Sequence, residues 1–191
     1  MLFDDVEELD FAGPWEVLAM ARRQGDRLVT VAEAGAGVVV RCSKGLRVLA
    51  DHGFTDHPPL DVVVVPGGQG TLGEAGNETL LGWLRHVDRT TTWTTSVCTG
   101  SLLLAAAGLA DGRRVTTHHG FVEPLRDQGL VGEVVAGPRW VVDGKLVTAA
   151  GVSAGIDMAL WLVGQLADVE HARWTQRAIQ YDPAPPYQAD L

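Results

Sequence analysis

The valines of Asp61-Val62-Val63-Val64-Val65 run without interruption into Pro66-Gly67-Gly68. β-branched side chains are stiff at χ1, which disfavours a helix and suits a pleated strand. A strand with no polar position has no face to give to water, so it must be covered on both sides. That condition is met inside a parallel sheet flanked by two layers of helices. A chain carrying such a strand is therefore expected to be an α/β protein.

The remaining punctuation agrees. Further strands are expected at Leu28–Ala32, Val38–Cys42, Thr91–Val97 and, more briefly, Val115–Thr117. Trp140–Val142 and Lys145–Thr148 flank Asp143-Gly144, a strong hairpin signal. Pro14 suits the first turn of a helix reaching about Gln24, with Gly25 as its stop. Asn77 reads as the N-cap of a helix ending near Asp88. Ser101–Ala110 is apolar all round, as a buried helix is, and Ser153 to about Leu166 is a second mostly apolar helix. The alternation predicts a doubly wound, mostly parallel sheet with helices on both faces and one small hairpin. With no repeat or linker in view, residues 1–191 read as a single domain, and the proline-rich tail Tyr181–Pro186 is expected to run extended over the surface.

Composition narrows the partners. Hydrophobic residues make up 46% of the chain, which suits a packed core rather than disorder, and a net charge of -9 disfavours nucleic acid. There is no apolar run long enough for a membrane span, and Met1–Asp5 has neither the basic region nor the apolar stretch of a signal peptide. Two widely separated cysteines are no disulfide framework. The expected setting is cytoplasmic, with free thiols and a small-molecule substrate as partner.

Chemistry concentrates at Ser96-Val97-Cys98-Thr99-Gly100-Ser101, where a β-rich run stops and a buried helix begins. Small residues on either side of Cys98 permit a tight turn, the layout of a nucleophile elbow with Cys in place of Ser. A helix start offers free N–H groups and the positive end of the dipole, both of which favour thiolate. Most free cysteines are simply buried, and Cys42, in a strand with no helix after it, is read that way. Cys98 differs because open α/β sheets place their sites at the C-terminal ends of strands. The turn Pro66-Gly67-Gly68-Gln69-Gly70 ends a strand of the same kind. If the two strands are neighbours, the Gly68 and Thr99 N–H groups are expected to form an oxyanion hole.

Asp10 lies between apolar Leu9 and Phe11, just ahead of Gly13-Pro14. A partly buried carboxyl there would have a raised pKa, as a proton donor needs. Either His118 or His119 can face the Cys98 pocket as a base, or be a histidine satisfied at a strand end. No cofactor is expected, and no metal, since no metal-ligand spacing occurs. Asp157, inside an apolar helix, needs a partner and is expected to be structural or to support the site.

The segments Leu9–Val17, Pro66-Gly67-Gly68, Val97–Ser101, Thr116-Thr117-His118 and Gly151–Met158 together resemble the ThiJ/PfpI superfamily. They span nearly the whole chain in order, and the nearest branch resembles the isonitrile hydratases, as does the tail from Tyr181. The resemblance implies a flavodoxin-like, class I glutamine-amidotransferase-like fold. It implies Cys98 as nucleophile, Asp10 as the facing acid, Thr99 as the residue after the nucleophile and Gly68 as the oxyanion-hole glycine. Superfamily peptidases and amidases usually carry His at the Thr99 position. Some relatives are sensing halves of transcription regulators with a helix-turn-helix domain, which this chain is expected to lack. The family also has an apolar first strand, of which little precedes Leu2-Phe3-Asp4-Asp5-Val6 here.

Isonitrile hydration is the activity implied: attack by Cys98, protonation by Asp10, then hydrolysis of a thioimidate to an N-substituted formamide. The alternatives are an amidase, a glyoxalase or deglycase, a cysteine redox sensor, or a small-molecule binding module. A homodimer is expected from the superfamily and from Trp83, Trp161 and Trp174 as surplus aromatic surface.

Overall fold

A computed structural model of the chain describes residues 1–185 and 187. Helix α1 (Glu8–Ala21) leads to a short hairpin, β1 (Val39–Arg41) and β2 (Arg47–Leu49), and then to β3 (Val62–Val65). Helices α2 (Thr71–Glu74) and α3 (Glu78–Asp88) precede β4 (Trp93–Val97), which turns into α4 (Gly100–Ala106). After β5 (Arg114–Val115), α5 (Val122–Asp127) and β6 (Glu133–Val134) come the hairpin strands β7 (Trp140–Asp143) and β8 (Leu146–Ala149). The chain closes with α6 (Ala154–Leu166) and α7 (Val169–Ala178).

The main sheet has the order β3-β4-β8-β7. β3, β4 and β8 are parallel, and β7 returns antiparallel along the edge, as the Asp143-Gly144 turn requires. Helices α1, α6 and α7 cover one face, while α2, α3 and α4 cover the other. The fold is the flavodoxin-like α/β class. β4, at the centre, is buried on both faces over Thr94–Val97, which explains why its sequence has no charged position.

β3 departs from the fully buried strand its sequence predicts. Val63 and Val65 are buried, but Val62 and Val64 are half-buried and line a cavity of about 570 Å³. Across the cavity lies Leu28–Val31, which forms isolated bridges at Val31 and Ala32 rather than the expected strand. Met1–Phe3 runs between the two. The Met1 amine donates to the Val64 carbonyl at 3.0 Å and the Leu2 N–H to Val31 at 2.8 Å. Burial of that amine lowers its pKa to about 5.

Other boundaries move for local reasons. α1 starts at Glu8, so Pro14 sits inside the helix instead of opening it. The ring removes one N–H from the ladder, and the helix tolerates this because it packs along α6 and α7. α4 ends at Ala106, four residues early, and Gly108 then turns with φ +75°. Of Val115–Thr117 only Val115 is in a strand, the two-residue β5, since the Thr116 N–H is taken by the Thr148 hydroxyl at 2.8 Å. Asn77 caps α3 as expected, accepting from Thr79 and Leu80. α7 was not expected, although Asp168 caps it by accepting from His171 at 2.7 Å. Tyr181–Pro185 has no regular structure and is exposed from Asp182 onward, while Pro186 lies outside the described residues.

Candidate active site

Cys98 stands between the end of β4 and the start of α4 with φ +57°, a left-handed conformation uncommon outside glycine. Its N–H is shared between the Ala149 and Ala150 carbonyls at 3.1 and 2.9 Å, and its carbonyl accepts from the Thr117 hydroxyl at 3.1 Å. The backbone is thus pinned from three directions while the side chain turns off the strand line. This is the tight strand-to-helix turn that the sequence predicts, with the strained backbone at Cys98.

The glycine turn after β3 lies beside it, because β3 and β4 pair in register from Val62↔Trp93 to Val65↔Ser96. The turn also carries the N-terminal segment. Val6 bridges Gly68, and the Glu7 N–H reaches the Gly67 carbonyl at 2.9 Å just before α1 begins. This docking brings Asp10, in the first turn of α1, over the turn. Its Oδ2 accepts the Gly67 N–H at 2.8 Å. A Cβ on Gly67 would lie 2.6 Å from both the N and Oγ1 of Thr99 and 2.9 Å from Asp10 Oδ2, so only glycine fits. Gly68 is equally constrained, with φ +128° and the Asp5 carbonyl and Glu7 N–H each 2.4 Å from where a Cβ would stand.

Asp10 is 0% exposed. Burial is the main force on its carboxyl and pushes the pKa up to about 7, against the Gly67 hydrogen bond, which favours the ionised form. Its Oδ1 has no hydrogen-bond partner among the described residues. The Cys98 thiol interacts with the carboxyl as a side-chain donor, without the alignment of a full hydrogen bond. The effect is mutual: burial, then the Asp10 charge, pushes the Cys98 thiol up to about 12. The Thr99 and Val152 N–H groups and the Thr99 hydroxyl act in the opposite direction. The sequence expectation of a thiol acidified by its helix is therefore overturned. Desolvation and a neighbouring carboxylate outweigh the donors that a seven-residue helix start supplies.

Thr99 knits the two turns together. The Gly68 N–H, expected to be free for an oxyanion, is donated to Thr99 Oγ1 at 3.0 Å because that side chain folds back over the glycine turn. The Thr71 hydroxyl lies 2.7 Å from the Gly68 carbonyl and 3.1 Å from Thr99 Oγ1. With Thr71 donating to the closer carbonyl, the Thr99 hydroxyl accepts from Gly68, and its own proton is directed between the Gly68 carbonyl, 3.4 Å away, and the Cys98 thiol. His118 is half-buried, and its ring packs on Gly151. Its Nδ1 accepts the Gly120 N–H at 3.1 Å, which leaves Nε2 as the protonated nitrogen of the neutral ring. Burial, then the neighbouring His119, lowers its pKa, and no hydrogen bond joins it to Cys98. Cys42 lies in the turn after β1, buried, with its pKa raised first by burial and then by Glu8 and Asp4. Among the described residues no group of three or more His, Cys, Asp or Glu is placed to hold a metal ion.

The DJ-1/PfpI family model matches residues 1–165. The chain belongs to the DJ-1/PfpI family. It is 40% identical to the isonitrile hydratase of Pseudomonas putida over 98% of its own length and 79% of that protein. It is 31% identical to protein dj-1beta of Drosophila melanogaster, covering 89% of each chain. Among solved structures, a THiJ/PfpI family protein from Pseudomonas syringae superposes with a TM-score of 0.91 at 31% identity, over 100% of this chain and 76% of that one.

Within this DJ-1/PfpI fold, two contributors to the site escaped sequence reasoning. Val152 presents an N–H to Cys98 from a loop whose backbone angles no residue type announces. Thr71 follows the glycine turn closely enough to have been tried as its hydroxyl partner. Of the tryptophans expected at the surface, Trp83 is buried and stacked on Phe54 at 4.4 Å. Trp161 is half-buried against Trp93, and Trp174 alone of the three is exposed, at 46%. No helix among the described residues is long and apolar enough to cross a membrane.

Proposed function

We propose that the chain is a cysteine-dependent hydro-lyase that adds water to an isonitrile and releases an N-substituted formamide. The observation that carries this reading is the buried Asp10–Cys98 pair followed by Thr99, in a chain 40% identical to an isonitrile hydratase. Around neutral pH the thiol keeps its proton while Asp10 passes between carboxyl and carboxylate, and the two groups titrate as a coupled pair.

An isonitrile carbon accepts a nucleophile and a proton at the same atom, which is what this pair supplies. The thiol passes its proton to Asp10 as sulfur attacks the terminal carbon. Asp10 returns that proton to the carbon, so one C–S and one C–H bond form and a thioimidate results. Water then adds across the C=N bond, oxygen to carbon and one proton to nitrogen. The C–S bond breaks, the hydroxyl proton passes to sulfur, and the formamide leaves. The Thr99 and Val152 N–H groups stabilise sulfur whenever it carries charge, at attack and again at departure. Gly67 holds Asp10 in place, and the His118 ring packs on Gly151, next to Val152.

A redox-sensing role is less well supported, since a thiol 6% exposed and held protonated oxidises slowly. The test is mass spectrometry of the protein incubated with an alkyl isocyanide. Catalytic formation of the formamide is expected. Inertness to isocyanides with Cys98-dependent consumption of methylglyoxal or of an amide would move the assignment to another thiol enzyme. A stable Cys98 sulfinate without turnover would make the sensor reading correct.

The chain is further proposed to work as a cytoplasmic homodimer of single domains. Trp174 and Val169, 46% and 58% exposed on α7, offer apolar surface for pairing. Both cysteines are free, which suits a reducing compartment. Sedimentation at micromolar concentration should give a dimer, and a monomer alone would refute it.

A further inference from the structure

A strained loop next to Cys98 is held by residues that take no part in the chemistry above. Val152 has φ +35°, a conformation that a β-branched residue keeps only when its surroundings impose it. Its N–H is one of the groups that act on the Cys98 sulfur.

The next residue, Ser153, occupies the N-cap position of α6, where serine ordinarily turns its hydroxyl onto the first free N–H groups of the helix. It makes no such bond. Its Oγ lies instead 3.3 Å from both terminal nitrogens of Arg139 and accepts from them. Arg139 is itself fixed by Asp157 in the first turn of α6, through Nε to Oδ2 at 2.7 Å and through Nη2 to the same oxygen. The Tyr181 phenol also bears on both members of this pair. At the other end of the loop the Arg139 carbonyl accepts the Ala150 N–H at 2.8 Å, and the Ala150 carbonyl accepts the Cys98 N–H at 2.9 Å. One arginine therefore grips Ala150 with its backbone and Ser153 with its side chain, with Val152 between them.

We propose that Arg139, backed by Asp157 and closed on Ser153, is a positioning residue that holds Val152 in its strained conformation and keeps the Val152 N–H aimed at the Cys98 sulfur. A serine diverted from its capping role and a valine in left-handed backbone are both unfavourable locally, and the same arginine accounts for both. The inference concerns the thiol, so it stands whatever substrate the thiol attacks.

The experiment measures alkylation of Cys98 by iodoacetamide across neutral and mildly alkaline pH, in a Cys42→Ala background that leaves one thiol. Ser153→Ala and Arg139→Met should each slow alkylation at fixed pH by about tenfold, the effect of weakening one hydrogen bond to an anion. Ser153→Thr, which keeps the hydroxyl, should restore the original rate. A purely structural clamp would lower the melting temperature and leave the alkylation profile in place. Rates unchanged or raised in Ser153→Ala and Arg139→Met overturn the proposal. Should Arg139→Met fail to fold, the Ser153→Ala and Ser153→Thr pair decides alone.

Discussion

The Gly67 N–H donates to Asp10 Oδ2 across 2.8 Å, joining the turn after β3 to the first turn of α1, while Oδ1 has no hydrogen-bond partner among the described residues and the Cys98 thiol bears on the same carboxyl. A carboxyl satisfied on one oxygen and desolvated on the other is poised to move a proton near neutral pH. That condition follows from the way the two turns meet, and it can be tested from several sides.

Asp10→Asn should lower formamide production by about 10²-fold or more, the usual worth of a positioned proton donor. It should also change the pH dependence of stability. The native carboxyl keeps its proton up to about 7, against 3.8 in the unfolded chain, so its contribution is full below the lower value and is lost as pH rises through about 7. The Met1 amine, lowered from 8.0 to about 5, acts oppositely, and stability rises with pH between those values. The difference between wild type and Asp10→Asn isolates the first effect. In urea titrations Asp10→Asn should gain stability relative to wild type on going from mildly acidic to mildly alkaline pH, by an amount on the order of 3 kcal/mol. A constant difference across that range would show that Asp10 ionises normally.

Cys98→Ala should abolish isocyanide turnover, a loss on the order of 10⁴-fold or more for a covalent nucleophile. Cys42→Ala should leave it largely intact, because Cys42 lies in the turn after β1 and its neighbouring carboxylates, Glu8 and Asp4, only raise its pKa further. Equal loss in both variants, read by formamide yield, would remove the special status of Cys98.

Gly67→Ala tests the contact at the turn directly. The added methyl meets the Thr99 backbone nitrogen and hydroxyl at 2.6 Å and Asp10 Oδ2 at 2.9 Å, so Thr99 and Asp10 must separate. Misplacing reacting groups by about 1 Å costs roughly 10²-fold in rate, and turnover should fall by at least that much. Wild-type kinetics in a folded Gly67→Ala protein would show that this spacing is irrelevant.

Ser96→Ala should stabilise the protein. Ser96 is 0% exposed in β4, and its hydroxyl has no hydrogen-bond partner among the described residues. Removing an unsatisfied buried hydroxyl while keeping the β-carbon should raise the unfolding free energy by about 1 kcal/mol. A lower denaturation midpoint would mean the hydroxyl has a partner, such as a buried water.

The sequence by itself determined the layer architecture and the two turns that carry the site. The valines of β3 and the uncharged β4 segment call for a sheet covered on both sides, which β4 meets fully and β3 only at Val63 and Val65, and glycine at 67 and 68 and the small residues around Cys98 permit close approach there and little else. Asp10 was legible because an acid between apolar neighbours must be explained. Tertiary structure decided the properties that depend on residues far apart in the chain. The thiol pKa follows from burial and from Asp10, 88 positions away in sequence, so the local helix start was a misleading guide. The Gly68 N–H was consumed by a threonine rotamer, and the hydroxyl of Ser153 was drawn from its helix by Arg139. Local pattern sets which backbone shapes are possible. Desolvation, neighbouring charge and the choice of hydrogen-bond partner exist only once separate segments are brought together.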